Sequence, residues 1–189
     1  MSDVDIPPEE SVDLPVSRFS PGSHWWDRSR CRTPMPWSPG PGSGFTTGRP
    51  WLRLGSDAGI RNVEVQLADP TSVLSTYRRL IALRAANPAL QVGSLHAHSD
   101  SGNDVVAYTR ETPGQLVLVL LNLGRGEAEW RVSAAAGESD SAGESASASV
   151  SGWRPLFGTS RATSADEVIA VGATLLLGPD EGLVLEAIR

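Results

Sequence analysis

Nine prolines fall between Pro7 and Pro50, with Gly22, Gly40, Gly42, Gly44 and Gly48 among them. Proline removes a backbone donor and restricts the residue before it, so no long helix and no central strand fits over residues 1–53. The same stretch carries Trp25, Trp26, Trp37 and Trp51. Segments that stay unfolded are poor in large aromatics. A loop of this length with four tryptophans is expected to pack on something and to serve a function.

The pattern changes at Asp69. Asp69 as a cap and Pro70 at the first helical position predict a helix over 69–87. Val73, Leu74, Tyr77, Leu80 and Ile81 give it one apolar face, and Arg78, Arg79 and Arg84 suit the negative end of the helix dipole. Asn87-Pro88 closes it. No second helix of similar quality follows, so the apolar stripe calls for a partner surface.

From Gly93 onward the signals are β. Residues 105–110, 116–122 and 127–132 read as strands separated by Pro113-Gly114 and by Gly124 to Gly126. Residues 153–157, 173–177 and 182–185 are further strands, and their regular spacing predicts a small antiparallel sandwich. Between them, Ser, Ala and Gly make up sixteen of the twenty residues from Ser133 to Gly152, which predicts a low-complexity loop without packed structure. The tryptophans of this half, Trp130 and Trp153, are expected in the core, because strand tryptophans usually face inward.

Charge and residue usage narrow the function. The chain has 189 residues and a net charge of −6, and an acidic balance argues against binding nucleic acid. All sixteen basic residues are arginine, which excludes a Schiff-base lysine and a phosphate-loop lysine. Cys31 is the only cysteine, so neither an intrachain disulfide nor a cysteine zinc cluster can form. The acidic start lacks the basic and apolar regions of a signal peptide, and the run Leu116 to Leu121 is too short to span a bilayer. A soluble, cytoplasmic protein without a membrane or nucleic-acid partner is the expectation.

Isolated candidates for chemistry are weak. Asp3, Asp5, Glu9 and Glu10 read as a solvated acidic terminus rather than an acid/base pair. His24 reads as an ordinary loop histidine. His96 and His98 alternate on a strand, but two histidines fall short of the three protein ligands of a catalytic zinc. Cys31 between Arg30 and Arg32 has no resolving cysteine and reads as structural. Gly40-Pro41-Gly42-Ser43-Gly44 lacks the flanking strand and helix of a phosphate loop. No metal and no cofactor is expected.

The informative run is Arg28-Ser29-Arg30-Cys31-Arg32-Thr33-Pro34-Met35-Pro36-Trp37, followed by Gly44-Phe45-Thr46-Thr47-Gly48-Arg49-Pro50-Trp51. With Asp3 to Glu9, Asn62 to Gln66, Asp69 to Leu74 and the tail Gly182 to Glu186, it resembles the α-glucosidases and oligo-1,6-glucosidases of the α-amylase superfamily. The resemblance covers nearly the whole chain apart from the Ser/Ala/Gly insert.

The resemblance implies a mainly β fold: a small antiparallel β-sandwich preceded by the last loop and helix of a truncated (β/α)8 barrel. Residues 1–91 would be the barrel remnant and 92–189 the C-terminal sandwich, with the low-complexity insert at 133–152. Barrel active sites sit at the C-terminal ends of the strands, so the loop after strand eight would border the sugar pocket. Two family arginines at the pocket mouth map onto Arg28 and Arg32, whose guanidinium forks suit sugar hydroxyls and carboxylates. The family's Asp after the first arginine is Ser29 here. The nucleophilic Asp, the acid/base Glu and the transition-state Asp have no counterpart, so no catalytic residue is assigned and the chain alone is expected to be inactive.

Two further readings stand beside an enzyme part that takes α-glucosides only with a separately encoded barrel fragment. One is a stand-alone sandwich that binds carbohydrate or protein, which would need Trp130 and Trp153 facing solvent. The other is a truncated product with no function of its own.

Overall fold

The structure, a computed structural model, describes residues 3–11, 28–98, 104–133, 150–164 and 166–189. His24, Trp25 and Trp26 lie outside them. The chain divides into two compact units, Met1–Tyr77 and Arg78–Arg189.

The first unit is mostly irregular, as its prolines dictate. Among the described residues its regular pieces are short 3-10 turns at Pro8–Glu10, Arg28–Cys31 and Pro41–Gly44, the helix α1 (Val63–Ala68), and the start of α2 (Val73–Ala86). Asn62 builds α1. Its side-chain oxygen accepts the Val65 amide at 3.0 Å, and its amide nitrogen donates to the carbonyls of Ala58 and Gly59 at 2.9 and 3.3 Å. The residue is 1 % exposed. Replacing a buried cap that also ties the preceding turn should destabilise this unit by about 2 kcal/mol. Denaturant titration of Asn62→Ala, followed by tryptophan emission, checks this; a loss below about 0.5 kcal/mol would show that the cap is dispensable.

The start of α2 differs from the sequence expectation. Asp69 and Pro70 do not open the helix. Asp69 instead folds back on Thr71, accepting its amide at 2.8 Å and its hydroxyl at 2.7 Å. These bonds hold the Asp69 carboxyl below its ordinary pKa. The cap is Ser72, whose hydroxyl accepts the Ser75 amide at 3.1 Å. An Asx turn competes with helix capping for the same carboxylate, and here the turn wins. Asn87-Pro88 does end α2, but Pro88 then starts a further short helix, α3 (Pro88–Val92), in the first-turn position proline tolerates.

The second unit is the β part. Strands β1 (Ser94–Ala97), β2 (Val105–Thr112), β3 (Gln115–Asn122), β5 (Gly152–Gly158), β6 (Ile169–Ala170) and β8 (Gly182–Ile188) form one sheet in the order β1-β2-β3-β8-β5-β6. Strands β4 (Ala128–Arg131) and β7 (Thr174–Leu177) form a second, two-stranded sheet. All pairings are antiparallel. The sandwich expected from strand spacing is therefore present, with β1 and β6 added at its edges.

Strand β3 shows why. Leu116 to Leu120 are all buried, because both faces of the sheet are covered. Leu116, Leu118 and Leu120 join Trp130, Trp153, Leu177 and Leu185 in the core between the sheets. Val117 and Val119 face the other way and pack with Phe157, Val184 and Ala89, where Leu80, Leu83 and Leu90 of the helices also lie. Pro155 sits inside a central strand, where it would remove a ladder bond. The β5–β8 register shifts between Pro155 and Phe157, and a bulge is where a strand can accommodate proline.

Trp130 and Trp153 are 6 % and 1 % exposed, core residues as their strand setting predicts. The low-complexity span needs correction at both ends. The Ser133 carbonyl accepts the Trp153 indole N–H at 3.2 Å, Val150 belongs to the core, and Gly152 opens β5. Residues 134–149 lie outside the described residues.

Two asparagine and glutamate side chains lock the sandwich turns. Asn122, 1 % exposed, donates to the carbonyls of Gly126, Leu177 and Gly178 and accepts the Gly124 amide. Glu181, 3 % exposed, accepts Arg161 Nε at 2.5 Å and Nη2 at 2.9 Å, and the Gly178 amide at 2.7 Å. No described helix is long and apolar enough to cross a membrane.

Candidate functional site

The arginine motif forms one tied loop. Arg28 and Arg32 stand at the two ends of the turn Arg28–Cys31, and both are exposed. Three bonds from elsewhere in the unit hold the turn's backbone and its buried middle. The Val4 amide donates to the Arg30 carbonyl at 3.1 Å. The Ser11 and Ser29 hydroxyls meet at 3.1 Å, with Ser29 fully buried. The Trp51 indole N–H donates to the Arg32 carbonyl at 3.2 Å. Ser29 is thus a neutral, hydrogen-bonded side chain at the buried middle of the turn. A hydroxyl pair there needs no counter-ion, whereas a buried carboxylate would.

The next residues turn the chain sharply. Pro34 is fully buried, and the amides of Trp37 and Ser38 both donate to the Ser43 carbonyl, at 2.8 and 3.2 Å. Gly42, Ser43 and Gly44 adopt φ of 62°, 51° and 65° in succession. A side chain on Gly44 would meet Ser38 Oγ at 2.8 Å and Trp37 Cβ at 3.2 Å. The Pro41–Gly44 run is therefore a structural turn rather than a phosphate loop. The carbonyls of Pro36 and Trp37 then accept the amides of Val63 and Glu64, the first residues of α1. Orphan donors of a helix N-terminus are satisfied by the motif itself.

Aromatic and ionic contacts brace the loop from outside. Phe45 meets Trp51 edge-to-face at 5.1 Å between ring centroids. Glu10 receives both Arg53 Nε, at 2.8 Å, and Nη2, at 2.5 Å. That fork holds the Glu10 carboxyl below the usual carboxylate range and raises Arg53. Glu10 is thus not a merely solvated acid, and sequence reasoning did not find its partner. Opposite charge 43 residues apart leaves no local pattern.

Of the other candidates, Cys31 lies within this loop, and His96 and His98 belong to the second unit. Cys31 is exposed, and its thiol donates to the Arg28 carbonyl at 3.2 Å. His96 Nε2 lies 3.1 Å from Ser94 Oγ. The His98 ring meets Trp130 edge-to-face at 5.8 Å. Among the described residues, no group of three His, Cys, Asp or Glu side chains gathers as a metal site would require. With Trp130 and Trp153 buried, the sandwich offers neither ring face to a sugar.

Comparisons with known proteins give the loop a context. Residues 9–93 match the family described as alpha amylase, catalytic domain, and the match ends just before β1. The trehalose-6-phosphate hydrolase of Escherichia coli K12 is 42 % identical over 104 residues, covering 55 % of this chain and 19 % of that protein. The probable oligo-1,6-glucosidase 2 of Bacillus subtilis is 36 % identical over 104 residues, covering 55 % and 18 %. The solved trehalulose synthase of Pseudomonas mesoacidophila MX-45 superposes on 100 % of this chain and 34 % of its own, with a TM-score of 0.75 and 26 % identity. The chain spans about a fifth of the length of these curated relatives. The tied arginine loop and the helix after it thus match the alpha amylase catalytic-domain family, and with the β part the chain is an α-glucosidase-like fragment similar to these enzymes.

Proposed function

We propose that the chain forms the pocket-rim loop, final barrel helix and C-terminal sandwich of a cytoplasmic α-glucosidase-like glycoside hydrolase, working with a separately encoded barrel. In this reading Arg28 and Arg32 face the sugar, the catalytic carboxylates come from the barrel partner, and the chain alone hydrolyses nothing. One observation carries it. On α2, Val73, Tyr77 and Ile81 are 69 %, 64 % and 66 % exposed. They are spaced i, i+4, i+8, so they form one continuous apolar stripe along the helix. Exposed apolar surface of this kind marks an interaction face.

The test is glucose release from short α-glucosides by the purified chain, by a barrel polypeptide from the same genome, and by the mixture. Trehalose 6-phosphate belongs in the substrate panel because one relative is named for it. Activity is expected in the mixture only. Arg32→Ala in the mixture should lower kcat/KM by about tenfold or more, the scale of a lost charge-assisted bond. Turnover by the chain alone, abolished in Arg32→Ala, would overturn the reading.

A further inference from the structure

The second unit contains a cavity of about 290 Å³ that the tied loop does not involve. Leu80, Leu83 and Leu90 line it from the helices, and Val119, Leu121 and Phe157 from the outer face of the six-stranded sheet. This volume is close to the lower end of ordinary ligand pockets, about 300 Å³, and an apolar wall with few polar groups is their usual character.

The charged groups of its lining are of one sign. Arg84, which is exposed, and Arg110, which is half-buried, both belong to the lining, and no acidic side chain does. Both guanidiniums are held by backbone carbonyls. Arg84 Nη1 donates to Leu90, and Arg110 Nε donates to Gly93 at 3.1 Å. A carbonyl bond orients a guanidinium without neutralising it. Neither arginine has a carboxylate partner among the described residues, although the protein is acidic overall. Tyr108 adds a phenol to the same lining. An apolar cavity whose lining carries two oriented cations without a carboxylate partner complements an aliphatic tail that ends in an anion.

We propose that this cavity is a binding site for a free aliphatic monocarboxylate of medium chain length, with the tail between α2–α3 and the sheet and the carboxylate on Arg84 and Arg110. The chemistry of recognition is separable. Burial of the tail supplies the affinity, and the paired guanidinium forks select carboxylate over alcohol. The site is independent of the sugar-binding reading and stands or falls without it.

Isothermal titration of the intact chain with decanoate and with decan-1-ol tests it, at concentrations below micelle formation. Saturable one-to-one binding of decanoate is expected, weakened about tenfold or more for the alcohol and for Arg110→Gln. Gln keeps a donor for the Gly93 carbonyl, so Arg110→Gln should fold as the parent does. Leu121→Trp, which fills the cavity, should abolish binding, and a thermal melt of each variant shows that it is folded. Three results would overturn the proposal: no saturable decanoate binding, equal affinity for the alcohol, or unchanged affinity in Arg110→Gln. Any of them would leave the cavity to an apolar side chain from a partner polypeptide.

Discussion

Trp153→Ala is expected to lower the stability of the β unit by about 3–5 kcal/mol, which is most of what a domain this size holds. Trp153 is 1 % exposed, stands on β5 beside β8, and packs into the core between the two sheets. Its truncation removes a large apolar volume that the paired sheets cannot close around. It also leaves the Ser133 carbonyl without its indole donor, bonded at 3.2 Å in the parent. Phenylalanine at 153 should recover most of the packing but not the bond, and so fall between the two. Urea titration followed by far-ultraviolet circular dichroism reads the effect. A loss below about 1 kcal/mol would mean that Trp153 is not the centre of this core.

Glu181→Ala should destabilise the same unit by about 3 kcal/mol, near the low end for breaking a buried ion pair because Arg161 is partly exposed. The substitution leaves Arg161 with only its bond to the Leu176 carbonyl and takes the acceptor from the Gly178 amide. Glu181→Gln keeps the acceptor for Gly178 and loses only the charge, so its effect should be smaller. The pH dependence follows from the Arg161 bonds, which hold the folded Glu181 carboxyl below its ordinary value against the opposing effect of burial. The folded state therefore releases this proton more readily than the unfolded chain. The stabilisation is complete above the unfolded pKa of about 4.3. It is lost as pH falls through the lowered folded value. The gap in urea midpoint between the parent and Glu181→Gln should be widest near neutrality and narrow in acid. A gap that is constant with pH would show that the charge of Glu181 contributes nothing.

What could be read from the sequence divides along physical lines. Short apolar runs bounded by Gly and Pro turns located the strands that cover a core, β2 to β5, β7 and β8. That reading passed over the edge strands β1 and β6, four and two residues long, whose patterns are too short to register. Prolines and tryptophans announced a packed loop, and the ordered Arg-Thr-Pro-Met-Pro-Trp run identified the family. The turn chemistry around Asp69 was misread because Asp serves helix caps and Asx turns alike, and only the Gln66 and Thr71 contacts decide between them. Gln66 Oε1 takes the Leu74 amide at 3.2 Å and its carbonyl takes the Ser72 hydroxyl at 2.6 Å, which leaves the opening of α2 to Ser72. The long-range pairs Glu10–Arg53 and Arg161–Glu181, and the hub at Asn122, left no trace in the sequence. Their partners are distant along the chain, and no periodicity links them.

The join between β4 and β5 bears on changes in chain length. The two strands belong to different sheets and never pair, so no hydrogen-bond register measures the chain between Arg131 and Gly152. Its ends are pinned instead, by the Ser133–Trp153 bond and by Val150 in the core. A change in chain length between these pins therefore moves no strand pairing in either sheet, so an insertion or deletion at this join, natural or engineered, leaves the registers of the sandwich in place.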